Sequence, residues 1–305
     1  MYNKILFAGI EIYIYRDDLN HPTVSGNKLH KLTPNLNLAK LRDCSSILSF
    51  GGPYSNHLHA LAWACKASGL ESIGVVRGEL SSTLTPTLAD CEKWGMTLLA
   101  LSRKDYRQCQ DKLSNLEEPC RVSDIDLGLD ISSIERPQST LIVPEGGSNQ
   151  IAIASLTNAY KHIFGELNKD SITHTVCATG TGATMAGLYQ AAPKDCQLIA
   201  MQAVAEGEAT LERIRGWLGA NALRLQVEAS HLGRFAKMTP ELLAFIEWFE
   251  AEYDIPLDPV YTGKAMFKLK QMIDVGYFKK SDKILFVHTG GLQGRRSMTM
   301  KGAKI

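Results

Sequence analysis

The sequence predicts an α/β protein in two units, each a mainly parallel sheet covered on both faces by helices. Three observations carry the prediction. Short apolar runs alternate with helix-length amphipathic segments through most of the 305 residues. The runs are apolar throughout, the pattern of strands buried on both faces. Glycine-rich turns follow several of them, and ligands of such sheets bind beyond the carboxyl ends of the strands.

Strands are expected at 46–50, 73–77, 97–101 and 141–143, then at 173–178, 198–203 and 283–288. Helices are expected at 57–68, 87–94, 149–164, 183–190, 241–252 and 264–275. Thr33-Pro34 reads as an N-cap followed by proline at the first helical position, so a helix is expected to restart there. Gly69 and Gly95 follow helical segments and suit the left-handed cap conformation. The polar stretch 114–140 reads as an irregular connection. Strands up to Val143 belong to one sheet and those after Ser171 to another, with the N-terminal arm crossing into the second. The expected division is a larger domain of residues 1–34 and 148–305 and a smaller α/β domain of 35–147. No internal repeat or low-complexity segment stands out.

Apolar residues make up 45% of the chain and charged residues 21%, with a net charge of +1, so nothing favours nucleic acid or a membrane surface. The seven cysteines form no C-x-x-C pair and read as reduced thiols. No signal-peptide pattern and no membrane-length apolar run are present. A soluble cytoplasmic protein is expected.

Five segments can carry chemistry. Gly26-Asn27-Lys28 sets a lysine at a helix start, where the dipole and partial burial lower its pKa towards a nucleophilic amine. A surface lysine is the plainer reading, and Lys31 competes with it. Gly51-Gly52-Pro53-Tyr54-Ser55-Asn56-His57 turns from a strand into a helix with donors suited to a carboxylate or phosphate; plain capping of that helix by Ser55 or Asn56 is the alternative reading, and the two are compatible. His57 and His59 are two apart, so on a helix they do not share a face, and no metal site is expected. Thr179-Gly180-Thr181-Gly182-Ala183-Thr184 is a phosphate cup opening a helix. It lacks the G-K-[ST] of a Walker loop and is not a clean G-x-G-x-x-G. Glu206, beyond the next strand, keeps a nucleotide-binding alternative open. Asp258-Pro259-Val260-Tyr261-Thr262-Gly263-Lys264 presents a tyrosine as proton donor, substrate contact or core-edge residue. His288-Thr289-Gly290-Gly291 ends a strand with a hydroxyl able to meet a ring nitrogen and room for a flat ligand. Pro144-Glu145-Gly146-Gly147-Ser148-Asn149 adds a lesser strand-end turn, and Arg295, Arg296, Lys301 and Lys304 read as a solvated basic tail.

Together these motifs, over nearly the whole chain, resemble fold type II pyridoxal-phosphate (PLP) enzymes, within the subfamily of D-cysteine desulfhydrase and 1-aminocyclopropane-1-carboxylate (ACC) deaminase. The resemblance implies a tryptophan-synthase-β-like fold with the active site in the cleft between two domains, PLP as cofactor, a small amino-acid substrate and a homodimer. It implies Lys28 as the Schiff-base lysine, Asn56 at the cofactor's ring hydroxyl and Ser55 at the substrate carboxylate. It also implies Gly180, Thr181, Gly182, Ala183 and Thr184 around the phosphate, Tyr261 near the substrate and Thr289 at the ring nitrogen. ACC deaminases look like P-V-Y-E-G-K where this chain has Thr262. A carboxylate there would keep the ring nitrogen protonated, so threonine favours β-elimination, with D-cysteine as the leading substrate and ACC as the alternative. His30 replaces a usual arginine, Pro53-Tyr54 is bulky and the N-terminal arm is short, which bears on substrate identity. A ligand-binding protein without efficient turnover is a further alternative.

Overall fold

A computed structural model describes residues 1–114, 119–128, 134–167, 171–204, 208–219, 222–233 and 237–296. In chain order the strands and α-helices are β1 (Tyr2–Phe7), β2 (Ile10–Tyr15), α1 (Asn27–Leu41), β3 (Ser46–Gly51), α2 (Asn56–Ser68), β4 (Glu71–Arg77), α3 (Pro86–Lys93), β5 (Met96–Leu101), α4 (Arg103–Ser114), β6 (Thr140–Val143), α5 (Gln150–Glu166), β7 (His174–Thr179), α6 (Ala183–Ala191), β8 (Gln197–Gln202), α7 (Ala209–Leu218), β9 (Leu225–Ala229), α8 (Pro240–Tyr253), α9 (Thr262–Asp274) and β10 (Lys283–Val287). The chain divides into two compact units, residues 1–27 with 153–305, and residues 28–152. The expected breaks lay after residues 34 and 147; the observed ones fall inside α1 and α5.

The first unit holds a six-stranded sheet of order β1-β2-β10-β7-β8-β9, parallel except for the β1–β2 hairpin. Alternate residues of each strand feed two cores. Val176, Ala178, Ile284 and Phe286 pack with Phe245, Phe249 and Leu269 of α8 and α9. Cys177, Leu285 and Val287 pack with Leu156 of α5, Met185 of α6 and Ile214 of α7. Each such fully buried large side chain contributes about 1.5–3 kcal/mol. The hairpin escaped sequence reading because its turn is Ala8-Gly9, at φ 48° and 82°, rather than the usual Asn-Gly.

The second unit holds an all-parallel sheet of order β5-β4-β3-β6. Leu48, Phe50, Ile73, Val75 and Ile142 face Tyr106, Cys109 and Leu113 of α4. Ser49 points to the opposite face and meets His57 of α2.

Every expected strand and helix is present. Three further strands (β1, β2, β9) and the helices α4 and α7 were not expected. Part of the stretch read as irregular, 115–118 and 129–133, lies outside the described residues. The helix restart at Thr33-Pro34 is corrected: α1 runs unbroken through Pro34. Thr33 caps nothing; its hydroxyl donates back to Leu29 O at 2.8 Å. Gly69 and Gly95 do take left-handed conformations, φ 69° and 90°. Arg295 is no loose tail residue, since it donates to both carboxylate oxygens of Glu250; Lys301 and Lys304 lie outside the described residues. All seven cysteines are free thiols. Among the described residues, no helix is long and apolar enough to cross a membrane.

Candidate active site

In the first unit, β7 ends at Thr179 and the chain turns through Gly180-Thr181-Gly182 into α6. Gly182 is the helix N-cap at φ +94°, and a Cβ there would lie 2.7 Å from Ile214 Cγ1, so the turn requires glycine. With no side chain at the cap, Gly182 offers the N–H groups opening α6 no acceptor of its own, and the helix dipole favours an anion there. Arg213, on α7, donates to Thr181 O at 3.4 Å and brings a cation beside the turn. Sequence reading missed it, because an arginine on an amphipathic helix looks like any other. Glu206, the basis of the nucleotide alternative, lies outside the described residues.

Gly26 ties the segment before Lys28 to the far end of the chain. At φ +68° a Cβ would lie 1.9 Å from Thr289 O, so only glycine allows this approach. Asn27 N donates to Thr289 O at 3.4 Å, and Asn27 Nδ2 donates to Thr184 Oγ1 at 2.8 Å. Asn20 braces the turn, accepting from Gly26 N and donating to Gly26 O and Asp17 Oδ1. Thr289 itself is buried. The cup, Asn27 and Thr289 therefore form one bonded cluster.

Tyr261 opens α9 with its ring 3.5 Å from where a Gly180 Cβ would stand. Asp258 holds it in place. Its Oδ1 accepts from Val260 N and Tyr261 N, and its Oδ2 from Thr262 N and Thr262 Oγ1, both at 2.8 Å. The Thr262 hydroxyl also accepts from Asp258 N at 2.9 Å and is fully buried. Two residues on, burial pushes the Lys264 ammonium pKa down to about 8, and its Nζ donates to His231 O.

The second unit carries the remaining residues. Lys28 is half-buried in the first turn of α1. Lys31 is buried, and its Nζ donates to Gly146 O at 3.2 Å and Ser148 Oγ at 3.3 Å, so the competing lysine is engaged with the Gly-Gly-Ser-Asn turn. Ser55 caps α2 by accepting from Leu58 N at 3.2 Å, which leaves its hydroxyl proton available to a ligand. A Cβ at Gly51 would fall 2.5 Å from that oxygen. Asn56 follows, half-buried. Thr85 Oγ1, the cap of α3, donates to Pro53 O and pins the same loop. His57 and His59 diverge: His57 Nε2 meets Ser49 Oγ at 2.7 Å, while His59 Nε2 meets Asp90 Oδ2 at 3.0 Å. Among the described residues, no cluster of His, Cys, Asp or Glu could hold a metal ion.

An uncapped, glycine-built helix start with an adjacent arginine suits a phosphate, and a half-buried lysine at a helix start suits carbonyl chemistry. These residues fit pyridoxal phosphate. The family described as pyridoxal-phosphate dependent enzyme matches residues 6–290. The chain belongs to this family. This PLP enzyme is 28% identical to a Pyrococcus furiosus protein named "Putative 1-aminocyclopropane-1-carboxylate deaminase", over 94% of this chain and 86% of that one. A Thermotoga maritima protein of the same name is 28% identical, over 94% and 90%. A crystal structure described as an ACC deaminase homologue superposes with a TM-score of 0.77 at 26% identity, covering 96% of this chain and 88% of that chain. A hydrogen sulfide-producing enzyme from Fusobacterium nucleatum shares the fold, with a TM-score of 0.64 at 13% identity, over 96% and 95%. This PLP enzyme is thus a fold type II lyase or deaminase.

Proposed function

We propose that this enzyme catalyses α,β-elimination on a small D-amino acid, with D-cysteine as substrate, giving pyruvate, ammonia and sulfide. PLP, when bound, supplies the electron sink for charge developing at the substrate Cα. Lys28 would hold the cofactor and, once released, take the Cα proton. The turn Gly180 to Thr184 would hold the phosphate, Asn56 the ring hydroxyl and Thr289 the ring nitrogen. Ser55 would donate its free hydroxyl proton to the substrate carboxylate, and Tyr261 would protonate the departing sulfur.

One observation carries this reading over ACC ring opening. Thr262 stands where a glutamate would serve the ring nitrogen, and its hydroxyl is spent on Asp258 in a fully buried pair. A carboxylate at 262 would face the Asp258 carboxylate at the same depth, a costly like-charge contact. Thr289 would then give the ring nitrogen a neutral hydroxyl partner. A weaker sink suits a reaction in which a β-substituent leaves and relieves the charge early.

The second reading, ACC deaminase, is supported by the names of the relatives. Purified protein supplied with PLP is assayed for sulfide and pyruvate from D-cysteine and for 2-oxobutanoate from ACC. Sulfide with pyruvate is expected, and 2-oxobutanoate from ACC with no product from D-cysteine overturns the proposal. Cofactor uptake without keto acid from any of a panel of D- and L-amino acids would favour a binding protein. Visible absorbance, lost in Lys28→Ala, tests the cofactor lysine. We further propose a cytoplasmic homodimer, checked by sedimentation of the purified protein.

A further inference from the structure

His57 is buried at 3% exposure, and one of its ring nitrogens has no hydrogen-bond partner. Ser49 Oγ donates to Val143 O at 2.6 Å, so towards the ring it can only accept. Nε2, 2.7 Å away, therefore carries the proton, and Nδ1 presents a bare lone pair. Gly147 stands beside both that edge of the ring and Lys31 of α1. A Cβ at Gly147 would lie 3.4 Å from His57 Nδ1 and 3.3 Å from Lys31 Cβ. Lys28 lies one turn before Lys31 on the same helix face. Lys31 is already engaged with Gly146 and Ser148.

We propose that His57 Nδ1 accepts a hydrogen bond from the Lys28 ammonium, making His57 the positioning residue for the catalytic lysine. This rests on the reading of Lys28 as the base of the elimination. A lysine that takes the Cα proton becomes an ammonium in a half-buried place and needs an acceptor that is not itself protonated. The neutral Nδ1 supplies one and favours the charged lysine. Burial, and then the charges of Lys28 and Lys31, keep the ring neutral by holding its pKa well below the usual histidine value. A buried acceptor without a donor is a net cost to the fold, and the Lys28 ammonium offsets it.

The test uses the full chain, freed of cofactor and checked for fold by circular dichroism. Long-range proton–nitrogen NMR should find the His57 ring neutral with its proton on Nε2 from about pH 6 to about pH 9, a span that begins below the usual histidine pKa of about 6.5. The pH profile of Lys28 labelling, read by mass spectrometry, should move down by about one pH unit in His57→Gln, which keeps a donor for Ser49 and loses the acceptor. His57→Asn, whose amide oxygen can take the place of Nδ1, should restore the profile. If His57→Gln fails to fold, Ser49→Ala is read in its place: the ring loses its anchor and the profile should move the same way. A ring protonated at Nδ1, or a profile unchanged in the folded variant, overturns the inference. Labelling needs no turnover, so the two readings fail separately: activity surviving in Lys28→Ala removes the base assignment, whereas an unmoved profile removes only the hydrogen bond.

Discussion

Gly26→Ala strikes the point where the turn before Lys28 meets the backbone of Thr289. A left-handed backbone costs a residue with a Cβ about 1–2 kcal/mol. The new atom would also stand 1.9 Å from Thr289 O and 2.3 Å from its carbonyl carbon, and no rotamer change can relieve contact with backbone. Such overpacking adds about 1–3 kcal/mol. Gly9→Ala is the control: φ is +82° there, but nothing lies within 4 Å of the added Cβ, so only the first cost applies. Gly26→Ala should therefore exceed Gly9→Ala in destabilisation by about 1–3 kcal/mol, read by urea unfolding. The forced movement also disturbs the bond from Asn27 to Thr184 beside the cup, so cofactor affinity should fall about tenfold for each 1.4 kcal/mol lost there. Affinity is measured by fluorescence titration with PLP. Equal destabilisation of the two variants, with equal cofactor affinity, would refute the role given to this contact.

Three further outcomes are expected. Ser55→Ala should lose about 1 kcal/mol of stability with the α2 cap, whereas Ser55→Asp should keep the cap and raise KM by repelling the substrate carboxylate; unfolding curves and kinetics separate the two. Asp258→Asn removes the charge that four donors share, so it should lower stability by about 1.5–3 kcal/mol and reduce kcat through Tyr261, as read by unfolding and steady-state assay. The Lys264 pKa is lowered from 10.5 to about 8 in the folded chain, so between those values the unfolded state binds more protons and stability rises with pH. The slope contributed is at most about 1.4 kcal/mol per pH unit, and comparison with Lys264→Met over pH 8–10, roughly this window, should show the wild type gaining on the variant.

The sheets were legible because buried parallel strands write themselves as unbroken apolar runs, as at Leu198 to Met201 and Ile284 to Val287. What escaped was held by weaker signals. β9 is an edge strand with half-exposed residues. α4 has a narrow stripe of Tyr106, Cys109 and Leu113 in an otherwise polar segment. Thr33-Pro34 misled because a proline near the start of a helix mimics a new N-terminus when tertiary packing carries the helix through. At the site, the glycines gave the turns away, since few other causes concentrate them at strand ends. The reach of Arg213 to Thr181 and the bare Nδ1 of His57 depend on which helices and strands meet, and no local pattern records that.

The pairing of β2 with β10 joins residues near opposite ends of the chain, Glu11 against Lys283. On a ribosome adding about 5–20 residues per second, the hairpin waits roughly a quarter of a minute to a minute for its neighbour. The unit of residues 28–152 is continuous in sequence and can fold during that wait. The contact of Gly26 with Thr289 closes only after the last strand has emerged. With Thr289 in the cofactor-holding role proposed for it, a nascent chain stalled before β10 should carry a folded second unit and no bound PLP.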